Sequence, residues 1–404
     1  MTKKQGLKIV LFLLILGILF FPLLGIFQIP AEGDTLGIKK RYNEFYGEPE
    51  NTWDCVMVGT SCVDREWIAP LAWKNYGMTV YAMNTDVQPL YLTTNVLTEV
   101  RKTQDIKLAV VDVRGIKMNS LRPDEVRIRR VTDCMKFSAN QWEAVNKGIQ
   151  FHKAYYSNEE VLEKLEKNKE EVPEPLDAVA MHVPFVKYHS RWESGLRKID
   201  FVGTDTIEST MKGVYDFENT PFTVEEVNPT YVVTEQADLN ELQTGILDEI
   251  LQYGKETNLE ILFIASPTQL SKKEQPEINA ALAYLEEQGA KVINYNTEEM
   301  YEEIGINFSE DLYNRHHLNS RGAVKFTEYF SKYLNDTYHF PDKRGQEGYQ
   351  EWDMAYENFV AFYEDGWVNK YTYVYPEQEG GSDEGDEEDE DSEDDKETGE
   401  AQEN

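Results

Sequence analysis

An alternation of two periodicities constrains the fold more than any other feature of this chain. Cys55-Val56-Met57-Val58 is a short apolar run that stops at Gly59-Thr60-Ser61. Similar runs recur at 79–83, 107–113, 259–265 and 290–294. Runs this short, rich in branched and apolar residues, read as strands covered on both faces. Between them the apolar spacing becomes helical, over 64–75, about 89–103, about 237–253 and about 274–287. Strand and helix in turn predict an α/β fold with a mainly parallel sheet and helices on both faces.

The gap between the runs ending at Val113 and beginning at Leu259 is too long for a crossover. It contains helical patterns near 138–149 and 157–170 and the acidic, proline-bearing stretch Glu170–Pro175. Residues of about 116–256 are therefore expected to form an insertion that caps the carboxyl edge of the sheet and shapes access to it. Three regions follow: a basic end and apolar segment over 1–34, a body over 35–376, and a tail over 377–404. Residues 9–27 carry no charge and are nearly all Leu, Ile, Phe and Val, and Lys3, Lys4 and Lys8 precede them. That length suits a single membrane span, with the basic flank in the cytoplasm and the body outside. A cleaved signal peptide is the competing reading. The long apolar run and the lack of an Ala-x-Ala site favour an uncleaved anchor in the cell membrane.

The tail holds 16 Asp or Glu and one Lys, with no aromatic or branched aliphatic residue, and is expected to be a solvated, disordered end. Of the chain's formal charge of −34, the tail's −15 leaves −19 on the other 376 residues. Such a body repels nucleic acid, anionic lipid and teichoic-acid-like polymers, and it lacks the basic, aromatic surface that nucleic-acid binding needs. Three cysteines, Cys55, Cys62 and Cys134, do not make a disulfide framework. Neither metal-ligand spacing nor a phosphate-binding glycine motif is present, so no metal and no cofactor is expected.

Ser61 stands where a strand hands over to a helix, at the carboxyl end of a strand, where open α/β sheets place their ligands. Backbone N–H groups at such a helix start suit an oxyanion. Taken alone, Ser61 reads equally well as a helix cap. Cys62 is a minor alternative nucleophile. The second half of a site lies in Asp311-Leu312-Tyr313-Asn314-Arg315-His316-His317-Leu318-Asn319-Ser320-Arg321-Gly322-Ala323, a polar loop opening the last helical pattern. A serine hydroxyl needs an imidazole to take its proton, and the imidazole needs an acceptor on its other nitrogen. Asp311 and Asn314 both precede His317 closely enough to serve.

Gly59-Thr60-Ser61 after a first strand, with His317-Leu318-Asn319-Ser320-x-Gly322-Ala323 before a last helix, resembles the SGNH/GDSL hydrolase superfamily. The layout is similar to its membrane-anchored, outward-facing members in Gram-positive bacteria, including those that serve D-alanylation of teichoic acids. The resemblance covers about 51–113 and 257–338. It implies a three-layer α/β/α, flavodoxin-like fold, Ser61 as nucleophile and His317 as base. The family's acid position falls on Asn314, a departure that leaves Asp311 as a possible substitute. The family's oxyanion donors follow its second and third strands. Here those places hold Asn84-Thr85-Asp86-Val87-Gln88 and Arg114-Gly115, so Asn84, Gln88 and Arg114 become the candidate donors.

Tyr188-His189-Ser190-Arg191-Trp192 in the insertion is a compact polar-aromatic group, with His189 and Arg191 as candidate substrate contacts or ordinary helix-face residues. Ser266-Pro267-Thr268-Gln269 ends a strand and is expected to line the same cleft or to cap a helix. Trp352, Tyr356, Phe359 and Tyr363 fall at helical spacing and suit core packing, and Tyr371, Tyr373 and Tyr375 alternate as on a short strand. The expected function is a membrane-tethered, extracellular esterase or O-acyltransferase acting on an acylated envelope glycan or exopolysaccharide. The alternative is a catalytically impaired scaffold of the same fold that binds envelope glycan or a membrane partner.

Overall fold

A computed structural model describes residues 2–27, 34–195, 211–214 and 232–364. The alternating stretch Tyr371–Tyr375, the acidic tail and the Arg191 side chain lie outside the described residues. The five apolar runs form one sheet: β1 (Cys55–Val58), β2 (Val80–Ala82), β3 (Leu108–Asp112), β4 (Glu260–Ala265) and β5 (Lys291–Asn294). Its order is β2-β1-β3-β4-β5 and every pairing is parallel. This is the strand order of flavodoxin-like doubly wound sheets. β1, β2 and β3 are buried throughout, which is why their runs do not alternate with polar residues.

Right-handed crossovers sort the helices. β1 to β2 runs toward one edge of the sheet; β2 to β3, β3 to β4 and β4 to β5 run toward the other. Two helices enter the structure before the sheet, α1 (Lys3–Phe27) and α2 (Asp34–Gly47). The helices α3 (Cys62–Glu66) and α4 (Ala69–Tyr76) of the first crossover pack together with α15 (Ser320–Tyr338) and α16 (Gln350–Glu364). α5 (Thr93–Val100), α11 (Glu241–Thr257) and α12 (Gln275–Glu287) form the other group.

The helix expected over 64–75 is two helices. Pro70 sits in the first turn of α4; in one continuous helix its ring would clash with the Glu66 carbonyl and leave that carbonyl without an N–H, so α3 ends at Glu66 and the chain breaks at Trp67–Ile68. Likewise Pro89 turns the start of the 89–103 pattern into a short 3-10 turn, Leu90–Leu92, ahead of α5. Trp352 and Phe359 of α16 are buried, Trp352 against Trp73, as the core reading expects.

Between β3 and β4 the insertion builds α6 (Glu125–Thr132), α7 (Ala139–Tyr155), α8 (Glu159–Asn168), α9 (Ala178–His182) and α10 (Pro184–Tyr188) before α11. α7 packs on α5 and on the Leu90–Leu92 turn, with Tyr91 and Phe151 stacked at 3.9 Å. Residues 211–214 instead meet the edge strand, where Ala82 donates its N–H to the Lys212 carbonyl. α1 covers the N-terminal apolar run, and its described side chains from Leu7 to Leu19 are largely exposed. Among the described residues, which include Lys3, Lys4 and Lys8 of α1 but not the side chains of 21–25, no helix is long and apolar enough to cross a membrane.

Candidate active site

The turn after β1 is tight because Gly59 has no side chain. A Cβ there would lie 2.9 Å from Val63 Cγ2 and 3.0 Å from Asp112 Cβ. Ser61 follows at the start of α3 but does not cap it: its backbone is helical and its hydroxyl makes no cap bond. Ser61 Oγ instead lies 2.7 Å from Nε2 of His317. The helix-cap reading of this serine is thereby set aside. Cys62 is buried, and its sulfur lies 3.1 Å from Thr60 Oγ1.

His317 is delivered by a small antiparallel hairpin, β6 (Leu312–Asn314) with β7 (His317–Leu318), in which Asn314 and His317 are direct cross-strand partners. Opposed residues of such a pair share a face. Asn314 Oδ1 therefore reaches His317 Nδ1 at 3.0 Å. The same oxygen accepts the His316 backbone N–H at 2.8 Å. An amide nitrogen could not accept that bond, so the oxygen end of Asn314 must face the ring. His317 must then carry its proton on Nδ1 and present a lone pair from Nε2 to the serine. The tautomer is the one a general base needs.

Gly322 lets the last helix close on this loop. A Cβ there would fall 2.4 Å from the Asp311 carbonyl. Asn319 caps α15, accepting from the Arg321 and Gly322 N–H groups, and donates back to the Glu310 carbonyl. Asp311 plays no part at the imidazole. Its carboxylate is buried and accepts from the Asn307 N–H at 2.7 Å and Lys325 Nζ at 2.5 Å. It ties the end of the short helix α14 (Phe308–Asp311) to Lys325 of the last helix.

The candidate donors separate clearly. Asn84 spends both amide N–H groups, on the Thr60 carbonyl at 3.0 Å and Asp64 Oδ1 at 2.7 Å. Asp64 is itself held by Arg41, which also donates to the Asn84 carbonyl. Asn84 thus braces the nucleophile turn and has no side-chain donor left for a substrate. Gln88 is different: it is buried, and neither Nε2 nor Oε1 has a partner. A Cβ at Gly115 would lie 3.5 Å from Thr60 Cγ2 and 3.8 Å from the Gln88 carbonyl, so the Gln88 backbone and the nucleophile turn flank the same glycine. Nearby, Val87 sits at φ 48°, where a β-branched side chain is strained.

Arg114 is neither exposed nor aimed at a substrate. Its guanidinium donates to Glu66 Oε1 at 2.8 Å and to the His316 carbonyl at 3.3 Å. It therefore joins the helix bearing the nucleophile to the loop bearing the base. Two buried carboxylates, Glu66 and Asp112, face this one cation, and burial pushes both upward. Asp112 accepts from Arg114 N, Ser266 N and Ser266 Oγ, whereas Glu66 Oε2 has no partner. Burial also brings Arg114 down to about 9. Ser266 is thus a strut for Asp112. Thr268 donates to the Arg315 carbonyl and supports the base loop from β4.

His317 is held well below the usual histidine range, first by burial, then by Arg65, Arg114 and His316. Without a carboxylate beside it, nothing offsets those cations. The ring is neutral at and below neutral pH and can accept a proton there.

His189 does not come to this site. Tyr188 donates to Asp133, His189 Nδ1 bonds the Val186 carbonyl of its own turn, and the segment packs beside α1 and α9. The residues that sequence reasoning missed are Arg41, Asp64, Glu66 and Asp112. Asp64 and Glu66 in a helix next to a candidate nucleophile, with Asp112 ending a buried strand, were the available signal: buried acids need partners. No protein-family model, curated protein or solved structure matches this chain.

Proposed function

We propose that this chain is a membrane-anchored, outward-facing serine esterase or O-acyltransferase of SGNH type. It acts on acyl groups of an envelope glycan or exopolysaccharide. The single observation that carries the reading is the Ser61 Oγ to His317 Nε2 contact, completed by Asn314 on Nδ1. In this reaction Ser61 Oγ attacks the ester carbonyl while His317 Nε2 takes its proton. The tetrahedral oxyanion receives a hydrogen bond from Gln88 Nε2, with the backbone N–H at the start of α3 as second donor. His317 then protonates the departing alcohol and the acyl-enzyme remains. Water or a sugar hydroxyl, deprotonated by the same imidazole, releases Ser61. Asn314 acts as the asparagine of Cys-His-Asn sites does, fixing the ring without a charge.

The uncharged run over 9–27 behind three lysines supports the anchor and the outward body. A scaffold that keeps this fold and binds glycan is the second reading, and Asn314 at the acid position favours it. A fluorophosphonate probe separates the two. Labelling of wild type that vanishes in Ser61→Ala and His317→Ala supports the enzyme; a folded wild type that takes no label supports the scaffold.

A further inference from the structure

Four segments distant in sequence meet on one buried guanidinium. Arg41 of α2 is only 2% exposed. Its Nε donates to the Gly213 carbonyl at 2.9 Å, Nη1 to the Asn84 carbonyl at 2.6 Å and Nη2 to Asp64 Oδ2 at 2.5 Å. It therefore joins α2, the insertion, the chain leaving β2 and the helix that follows the nucleophile. Three acceptors in three directions suit the planar fork of an arginine; a lysine offers a point charge instead.

The bonds continue to the nucleophile. Asp64 Oδ1 accepts one N–H of the Asn84 amide at 2.7 Å, and the other N–H donates to the Thr60 carbonyl at 3.0 Å. The Val63 N–H reaches the same carbonyl at 3.0 Å. A trans peptide is planar, so its C=O and N–H point to opposite sides. Holding the Thr60 carbonyl therefore holds the Ser61 N–H facing the other way. Among the described residues that N–H has no backbone acceptor. It belongs to the helix start that supplies the second oxyanion donor in the reading above. Such a donor works only if its direction is fixed before charge develops.

The insertion's end of this relay fits one position only. Gly213 lies at φ 88°, and a Cβ on it would fall 1.9 Å from the Ala82 carbonyl. Glycine is what lets residues 211–214 lie against β2, where the Ala82 N–H donates to the Lys212 carbonyl at 3.2 Å. Lys212 is buried and pairs with Glu48, just after α2, at 2.7 Å. We propose that Arg41 is a positioning residue for the oxyanion site: through Asp64 and Asn84 it sets the direction of the Ser61 N–H, and the seating of residues 211–214 on β2 sets Arg41. This rests on the serine chemistry of the reading above and not on its membrane anchor. It gives the site a control point in the insertion that is not part of the Ser61–His317 pair.

The test follows fluorophosphonate labelling of the full chain, reading rate, end point and pH profile. Asn84→Ala should label about 10²-fold more slowly than wild type, as for one misdirected oxyanion donor. Gly213→Ala, which cannot seat the segment, and Arg41→Lys, which keeps the charge without the fork, should each be slower by about tenfold or more. All three should still label to the wild-type end point. Their acid limb should stay in place, because His317 is governed by burial, Arg65, Arg114 and His316. A lower end point with an unchanged rate means that the variants only misfold in part, and overturns the proposal. A slower rate with a displaced limb means that Arg41 acts on the base, and overturns it too. So does Gly213→Ala labelling at the wild-type rate, which leaves the serine reading standing. A folded wild type that never labels overturns both.

Discussion

Asn314→Asp tests the electrostatics of the site, because it changes one atom at the position where the charge is missing. The perturbed contact is the 3.0 Å pair between Asn314 Oδ1 and His317 Nδ1. A full negative charge opposite an imidazolium at that distance is worth about 5–6 kcal/mol at an effective dielectric of about 20. The amide dipole already supplies part of this, and holding a carboxylate in a buried site offsets more. Roughly 2 kcal/mol of added stabilisation for the imidazolium that forms in the transition state is left, about a 30-fold rate gain. The geometry needs no change, since the His316 N–H and the His317 ring both go on donating to an oxygen. The acid limb should also move, because a carboxylate raises the pH at which His317 takes a proton. The assay is the second-order rate of fluorophosphonate labelling against pH, with thermal melting as a check on folding. Asn314→Asp should be faster on the plateau, with its acid limb at higher pH than wild type. Asn314→Ala loses the tautomer lock and should be slower by about 10² or more. A folded Asn314→Asp protein no faster than wild type would refute the reasoning, since the residue would then not face a working base.

Three further outcomes follow from the same geometry. In wild type the labelling rate should hold down to pH values below the ordinary histidine value of about 6.5, because burial, Arg65, Arg114 and His316 depress His317. Arg114→Gln removes one of those cations and should shift the limb upward; a lower plateau with an unmoved limb would mean that Arg114 only holds the loop. Gln88→Leu keeps volume but removes the unpartnered amide, and should slow acylation by about 10²–10³, read as kcat with an activated ester, with little change in melting temperature. Val87→Asn tolerates the left-handed backbone better and should raise stability by about 1 kcal/mol in chemical denaturation; a loss of stability would show that the φ of Val87 carries no strain.

The sheet was legible because each strand is a bounded apolar run and burial on both faces leaves no alternation to confuse it. Ser61 and His317 were legible because a Gly-x-Ser closing a strand and a histidine loop opening the last helix are where an α/β sheet brings chain ends together. The choice between Asp311 and Asn314 was not legible. It depends on which of two nearby side chains a two-residue turn places across from His317, and the sequence contains both. Asn84 looked like a donor because its competition from the Thr60 carbonyl and Asp64 exists only in three dimensions. Arg114 looked like a substrate contact because cations are usually solvated; two buried acids in different segments had to converge before its role emerged. His189 was placed by motif appearance alone, and the insertion's own packing carried its turn to α1.

The most direct test of the central claim is to locate the acyl group. The full chain is reacted with an activated acetyl ester, quenched in acid, digested and mapped by peptide mass. The account predicts an acetyl group on Ser61 in wild type and none there in His317→Ala. An adduct on another residue, or Ser61 acetylated equally well without His317, would contradict it.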